Sequence, residues 1–103
     1  MDRIAQLRKF AQARPTDPFP RYALALEQRS AGNVSGAIEE LSTLTGSKPD
    51  YVPAYLILGQ LHEQAGHVDD ARRVYREGQG QARTQGNAHA LSELTSALAQ
   101  LGD

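Results

Sequence analysis

The chain has no cysteine and no tryptophan. The first absence excludes disulfides and thiolate metal sites outright. Aromatic residues are few, with two Phe and four Tyr, so a core must be built mostly from aliphatic side chains. Neither sign of charge dominates. A formal net charge of −1 over 103 residues gives no general reason to expect binding to nucleic acid or to an anionic membrane. Long hydrophobic runs are missing too. Charges interrupt every apolar stretch between Met1 and Phe10, so no signal-peptide core fits there, and nothing further along is long and apolar enough to span a bilayer. The expected setting is the cytoplasm. What remains is ordinary globular material, 40% apolar and 22% charged, of a length suited to one domain. Ala, Leu, Gln, Glu and Arg dominate, and these are the better helix formers.

The most informative pattern is self-similarity. Ala31-Gly32-x-Val34-x-x-Ala37 returns 34 residues later as Ala65-Gly66-x-Val68-x-x-Ala71. The same offset pairs Leu24 with Leu58 and Pro15 with Pro49. A fixed period of this length signals a helical repeat array, which presents surfaces rather than reaction centres.

Local patterns predict six helices. Ile4, Leu7, Phe10 and Ala11 share one face of a helix that ends before Pro15. Asp17 is placed to cap the next helix and Pro18 to occupy its first turn. That helix runs from about Pro18 to Ala31 and carries Phe19, Tyr22, Ala23 and Leu26 on one side. Gly32 stops it, because glycine takes the left-handed conformation without a Cβ penalty. Val34, Ala37, Ile38, Leu41 and Leu44 form the stripe of the third helix, expected to end near Thr45-Gly46. After the loop Ser47-Lys48-Pro49-Asp50, a fourth helix spans about Val52 to Ala65, with Tyr55, Leu58, Gly59 and His62 inside. The fifth begins near Val68, with Asp69 and Asp70 at the positive end of its dipole and Ala71, Val74, Tyr75 and Gly78 inward. A break at Thr84-Gln85-Gly86-Asn87 precedes a last helix from Ala88 to Leu101, with Leu91, Leu94, Leu98 and Leu101 on one stripe. Short loops make sequence neighbours spatial neighbours, so the reading is an all-α array of antiparallel hairpins.

Tyr55-x-x-Leu58-Gly59-x-x-His62 followed by Ala71-x-x-x-Tyr75 resembles the tetratricopeptide repeat, whose unit is a pair of helices, A then B. His62 stands where an aromatic is usual, and Gly78 where a small Ala is. The earlier copy, Leu24-Ala25 and Ala37-x-x-x-Leu41, is degenerate but keeps Gly32 and the closing Pro49. The resemblance covers essentially the whole chain and is closest to small stand-alone bacterial proteins with two repeats and a trailing helix. It divides the chain into a lone B-like helix at 1–14, repeats at 18–49 and 52–84, and a capping helix at 88–101. It also puts Gly59, Ala71 and Gly78 where helix A meets its B partner, at junctions that a bulky side chain would force apart.

Residues for catalysis are lacking. His62, His67 and His89 are the only groups titrating near neutrality, and no two have the spacing of ligands on one helix, so no metal or cofactor site is expected. His62 falls on a core position of the repeat, which implies a hydrogen-bonded core histidine. Glu39-Glu40 and Asp69-Asp70 are adjacent and point apart on a helix, as solvated or dipole-facing acids do. Glu77-Gly78-Gln79-Gly80 has neither the preceding strand nor the following Lys-Ser/Thr of a phosphate loop. Arg3, Arg8, Lys9, Arg14 and Arg21 make the first fifth basic, but only Phe10 and Phe19 lie among them, the pattern of a solvated face rather than a nucleic-acid patch. An enzyme is not expected.

The resemblance implies that A helices line a concave face. It places Phe19, Tyr22, Leu26 and Arg29 there from the first repeat, and Pro53, Leu56, Gln60 and Glu63 from the second. Phe19, Tyr22, Leu26 and Leu56 would form an apolar strip with Arg29, Gln60 and Glu63 at one end, suited to a partner protein's helix or extended peptide. The alternative is that Phe19 and Tyr22 pack under the first or last helix. One use of the family is to grip acidic chaperone tails with Lys, Asn and Arg. Here the corresponding positions hold Tyr22, Leu26, Ile57, Pro53, Asn87 and Leu91, so no cationic clamp is expected. A second functional reading is a homodimer, because the first helix is a B helix without its A partner and leaves a side for another copy to cover.

Overall fold

The computed structural model describes residues 2–102; Met1, where the first segment of the sequence division begins, lies outside the described residues, as does Asp103. Six helices follow in order: α1 Arg3–Ala13, α2 Pro18–Ser30, α3 Val34–Ser47, α4 Pro53–Gln64, α5 Val68–Gln85 and α6 Ala88–Leu101. No strand occurs among the described residues. Each helix packs on the next, and α4 also meets α6. The outcome is an elongated slab of 43 × 29 × 19 Å.

The helix starts follow from the residues that precede them. The Asp17 carboxylate accepts from the Phe19 backbone N–H at 3.0 Å, capping α2, and Pro18 sits in the first turn, where a missing N–H costs nothing. Asn33 and Asn87 cap α3 and α6 by accepting from Gly36 and Ala90. The two repeat-defining glycines end α2 and α4 with φ of 83° and 82°, a region an L side chain rarely enters. Behind each glycine the chain doubles back. The Asn33 N–H donates to the Gln28 carbonyl at 2.8 Å and the His67 N–H to the His62 carbonyl at 2.7 Å, the six-residue closure of a Schellman turn.

Two boundaries differ from the sequence expectation. α3 continues past Gly46 to Ser47, whose hydroxyl donates to the carbonyls of Thr43 and Leu44, and Gly46 keeps a negative φ. α5 continues through Thr84 and Gln85, and the stop is Gly86 alone, at φ 67°. A glycine ends a helix only where the chain turns left-handed.

The core runs the length of the array. Leu24, Ala25, Ala37, Leu41 and Leu44 fill the first hairpin, Tyr55, Leu58, Leu61, Ala71, Val74 and Tyr75 fill the second, and Leu94 of α6 closes the end. Gly59 and Gly78 allow α4, α5 and α6 to approach. A Cβ on Gly59 would stand 2.6 Å from two carbons of the Tyr75 ring, and one on Gly78 would stand 2.6 Å from the Tyr55 Cβ. The phenols then anchor the junction from both sides. Tyr55 donates to the Pro49 carbonyl at 2.6 Å, and Tyr75 donates to the Glu63 carboxylate.

Candidate functional site

Along the open edge of the array, α2, α4 and α6 leave a groove of about 320 Å³. Its lining is Tyr22 from α2, Val52, Pro53, Leu56 and Ile57 at and after the start of α4, and Asn87, His89, Ala90, Glu93 and Leu94 around α6. The floor is aliphatic and the rim polar. Tyr22 stands half-buried at one wall, its ring edge-on to Tyr51 with centroids 5.5 Å apart, an arrangement that favours one ring orientation. Burial raises the Tyr22 phenol above its ordinary range; nearby Arg29 opposes that rise and Glu93 adds to it. On α6, the His89 Nε2 lies 3.3 Å from the Glu93 carboxylate.

The seven residues expected on the concave strip divide among several surroundings. Tyr22 and Leu56 line the groove together, with Pro53 beside them. Arg29 donates to Gln60 at 3.2 Å, tying α2 to α4. Leu26 is half-buried, and Glu63 is committed to the Tyr75 hydroxyl, so its carboxylate holds α4 to α5. Phe19 is 60% exposed and lines a different hollow, with Leu7, Phe10, Arg14, Asp17 and Pro20 at the junction of α1 and α2. The structure does not gather the seven into one cavity.

The strip as read from sequence omitted the wall built by α6. The signal for it was present. Adding the 34-residue period to Pro53 and Leu56 gives Asn87 and Ala90, and adding it to Gln60 gives Leu94. All three line the groove. The last helix thus contributes as a third A helix, not only as a lid on the core.

A second grouping lies at the turn between α4 and α5. His62 and His67 are five residues apart and straddle Gly66, a spacing no single helix would use to bring side chains together. They occupy the C3 and C″ positions of the Schellman turn, which place their side chains over one another. The two Nδ1 atoms face each other at 3.5 Å, and Asp70 completes a set whose ligand-capable atoms all lie within 4.8 Å. His62 is buried, and burial holds its imidazole below the usual histidine range, opposed by Asp70 and reinforced by His67 and Arg73. The basic residues at the start of the chain are partly neutralised. Arg3 pairs with Glu27, and Arg21 donates to Glu40 at 2.8 Å. No helix among the described residues is long and apolar enough to cross a membrane.

Comparison with known proteins agrees with this architecture. A family model for the tetratricopeptide repeat matches residues 28–101. A repeat-containing protein of Pseudomonas aeruginosa is 30% identical over 81 residues, covering 79% of this chain and 77% of the relative. A protein of Methanocaldococcus jannaschii containing the same repeat is 30% identical over 80 residues, which span only 25% of its length. The crystal structure of a tetratricopeptide repeat domain protein from Salinibacter ruber superposes with a TM-score of 0.79 at 41% identity, covering 82% of this chain and 94% of that one. Proteins of this family are in general interaction scaffolds rather than catalysts. With its 34-residue helix-hairpin period, its paired αL glycines and these matches, the chain belongs to the tetratricopeptide repeat family.

Proposed function

We propose that this protein is a non-enzymatic interaction module that holds a segment of a partner protein in the groove between α2, α4 and α6. The supporting observation is the groove itself, an aliphatic floor of Val52, Leu56, Ile57 and Leu94 under a rim of Tyr22, Asn87, His89 and Glu93. A volume of about 320 Å³ is at the small end of the range for binding pockets and accommodates a few anchoring side chains. No Lys or Arg lines it, and Glu93 is its only carboxylate, so the occupant is a helix or extended segment with apolar anchors and a neutral or basic flank. An acidic chaperone tail is excluded on the same grounds, and neither nucleic acid nor membrane is a partner in this reading. Repeats at 18–49 and 52–84, a B-like helix at 1–14 and an A-like helix at 88–101 form the module, acting in the cytoplasm.

The test compares capture of partner proteins by the wild type with capture by Leu56→Lys and Tyr22→Ala, each checked for native helicity. Leu56 is half-buried at the groove, so lysine there obstructs the site while its charged end reaches water. The expected result is a specific partner retained by the wild type and lost by both variants; equal retention by all three would refute the groove as the site. Glu63 is a poor choice for such a test, because its carboxylate holds Tyr75.

A second reading, self-association into a homodimer, is favoured by one observation. Phe10 and Phe19 are 58% and 60% exposed and line one hollow on the free side of α1 and α2. A second copy covering that side would bury both rings. Light scattering of the wild type beside Phe10→Glu decides it. A dimer that the variant converts to monomer supports it, and a monomeric wild type removes it.

A further inference from the structure

The turn between α4 and α5 brings together three groups that the binding reading leaves unused. We propose that His62, His67 and Asp70 form a binding site for a divalent transition-metal ion of the zinc type. The geometry carries the inference. Zinc–imidazole bonds of about 2.0–2.1 Å in a tetrahedral site put two ligand nitrogens roughly 3.3 Å apart. The facing Nδ1 atoms of His62 and His67 stand at 3.5 Å, close to that edge length. The same distance is long for a hydrogen bond, which for nitrogen donors falls near 2.7–3.2 Å. The pair thus stands near the separation of two ligands of one ion and beyond that of an ordinary hydrogen bond.

Asp70 supplies the third donor. Its carboxylate is exposed and within 4.8 Å of the others, so a side-chain rotation with no backbone change brings it to the ion. Arg73 is its only competitor among the charged groups nearby, at 3.5 Å, and Arg73 has a closer partner in Glu77 at 2.8 Å. The neighbouring Asp69 is engaged by Arg72 at 3.0 Å. Two imidazoles and one carboxylate, with no sulfur, suit zinc, nickel, copper or cobalt rather than calcium or magnesium. Three protein donors leave at least one position for water.

The first repeat shows that the fold does not need these residues for its turn. One period earlier the same positions hold Gln28, Asn33 and Gly36, and the turn closes with the same backbone bonds. The histidines and the acid are thus a feature of the second repeat alone. A bound ion would bridge the end of α4 to the first turn of α5.

Calorimetric titration of the metal-stripped protein with zinc chloride tests the site, with Co²⁺ absorption reporting the ligand geometry. The expected result is saturable binding of one ion, weakened at least about tenfold by His67→Ala and by Asp70→Asn. His67 and Asp70 are exposed, so both variants should keep the fold. His89→Ala is the control, since His89 and Glu93 form the other histidine–carboxylate pair on the surface. The absence of saturable binding would overturn the site, as would binding that survives His67→Ala or that disappears with His89→Ala.

Discussion

Two glycines in neighbouring helices should answer oppositely to the same substitution. Both Gly59 and Gly80 lie inside helices, where replacement by alanine gains about 1 kcal/mol of intrinsic propensity. At Gly80 the added methyl meets nothing within 4 Å, so Gly80→Ala should show that gain. At Gly59 the methyl enters the Tyr75 ring, 2.6 Å from two of its carbons and closer to a third. Tyr75 is fully buried and its hydroxyl is held by Glu63, so the ring has no room to retreat. Overpacking of this kind costs about 1–3 kcal/mol. The propensity gain is common to both variants and cancels in their difference, which leaves the overpacking cost alone. For a domain of this size 1 kcal/mol moves the melting temperature by about 4–8 °C. Thermal melts should therefore place Gly80→Ala above wild type and Gly59→Ala at least about 4 °C below Gly80→Ala; Gly59→Leu should fall lower still. Coincident melts of the two alanine variants would refute the close packing of α4 on α5.

Three more outcomes follow from particular contacts. All four tyrosines are raised above the ordinary phenol value of 10.0, Tyr75 most, with burial the leading cause in each. The unfolded chain therefore ionises first, so stability is intact below about pH 10 and declines as pH rises beyond it; phenolate absorbance that develops well before the loss of helical circular dichroism would contradict this. The Gln28 side-chain oxygen is buried without a partner, a cost of about 1–3 kcal/mol that Gln28→Met removes. The denaturation midpoint of that variant should match or exceed wild type, and a clear drop would show that the amide is satisfied in solution. An acidic chaperone-tail peptide should give no saturable heat on titration into the protein, and micromolar binding would refute the exclusion drawn from the groove lining.

The helices were legible because their ends are marked by residues with few other uses. Asp17 and Pro18 start α2, Gly32 and Gly66 stop α2 and α4, and each acts through local backbone chemistry that does not depend on tertiary context. Gly46, near the expected end of α3, does not itself stop the helix, for the complementary reason. Glycine permits a left-handed stop without requiring one, and the backbone there stays helical. The groove was half legible. Tyr22 and Leu56 followed from the repeat register, whereas the α6 wall needed the period to be carried once more past the last recognisable motif. Phe19 shares a helix with Tyr22 but lines the hollow beside α1. The link between Glu63 and Tyr75 and the convergence of His62 on His67 depend on how one helix returns along another, which helical periodicity does not describe.

In the proposed function, the groove between α2, α4 and α6 is the working surface. Site-specific photocross-linking in living cells tests it most directly, with a photoreactive phenylalanine analogue placed in turn at Leu56 in the groove, at Glu39 on the exposed face of α3 and at Phe10 on the free side of α1. The expected result is a discrete adduct with one partner protein from position 56 and none from position 39. An adduct from position 39, or only a self-adduct from position 10, would contradict it.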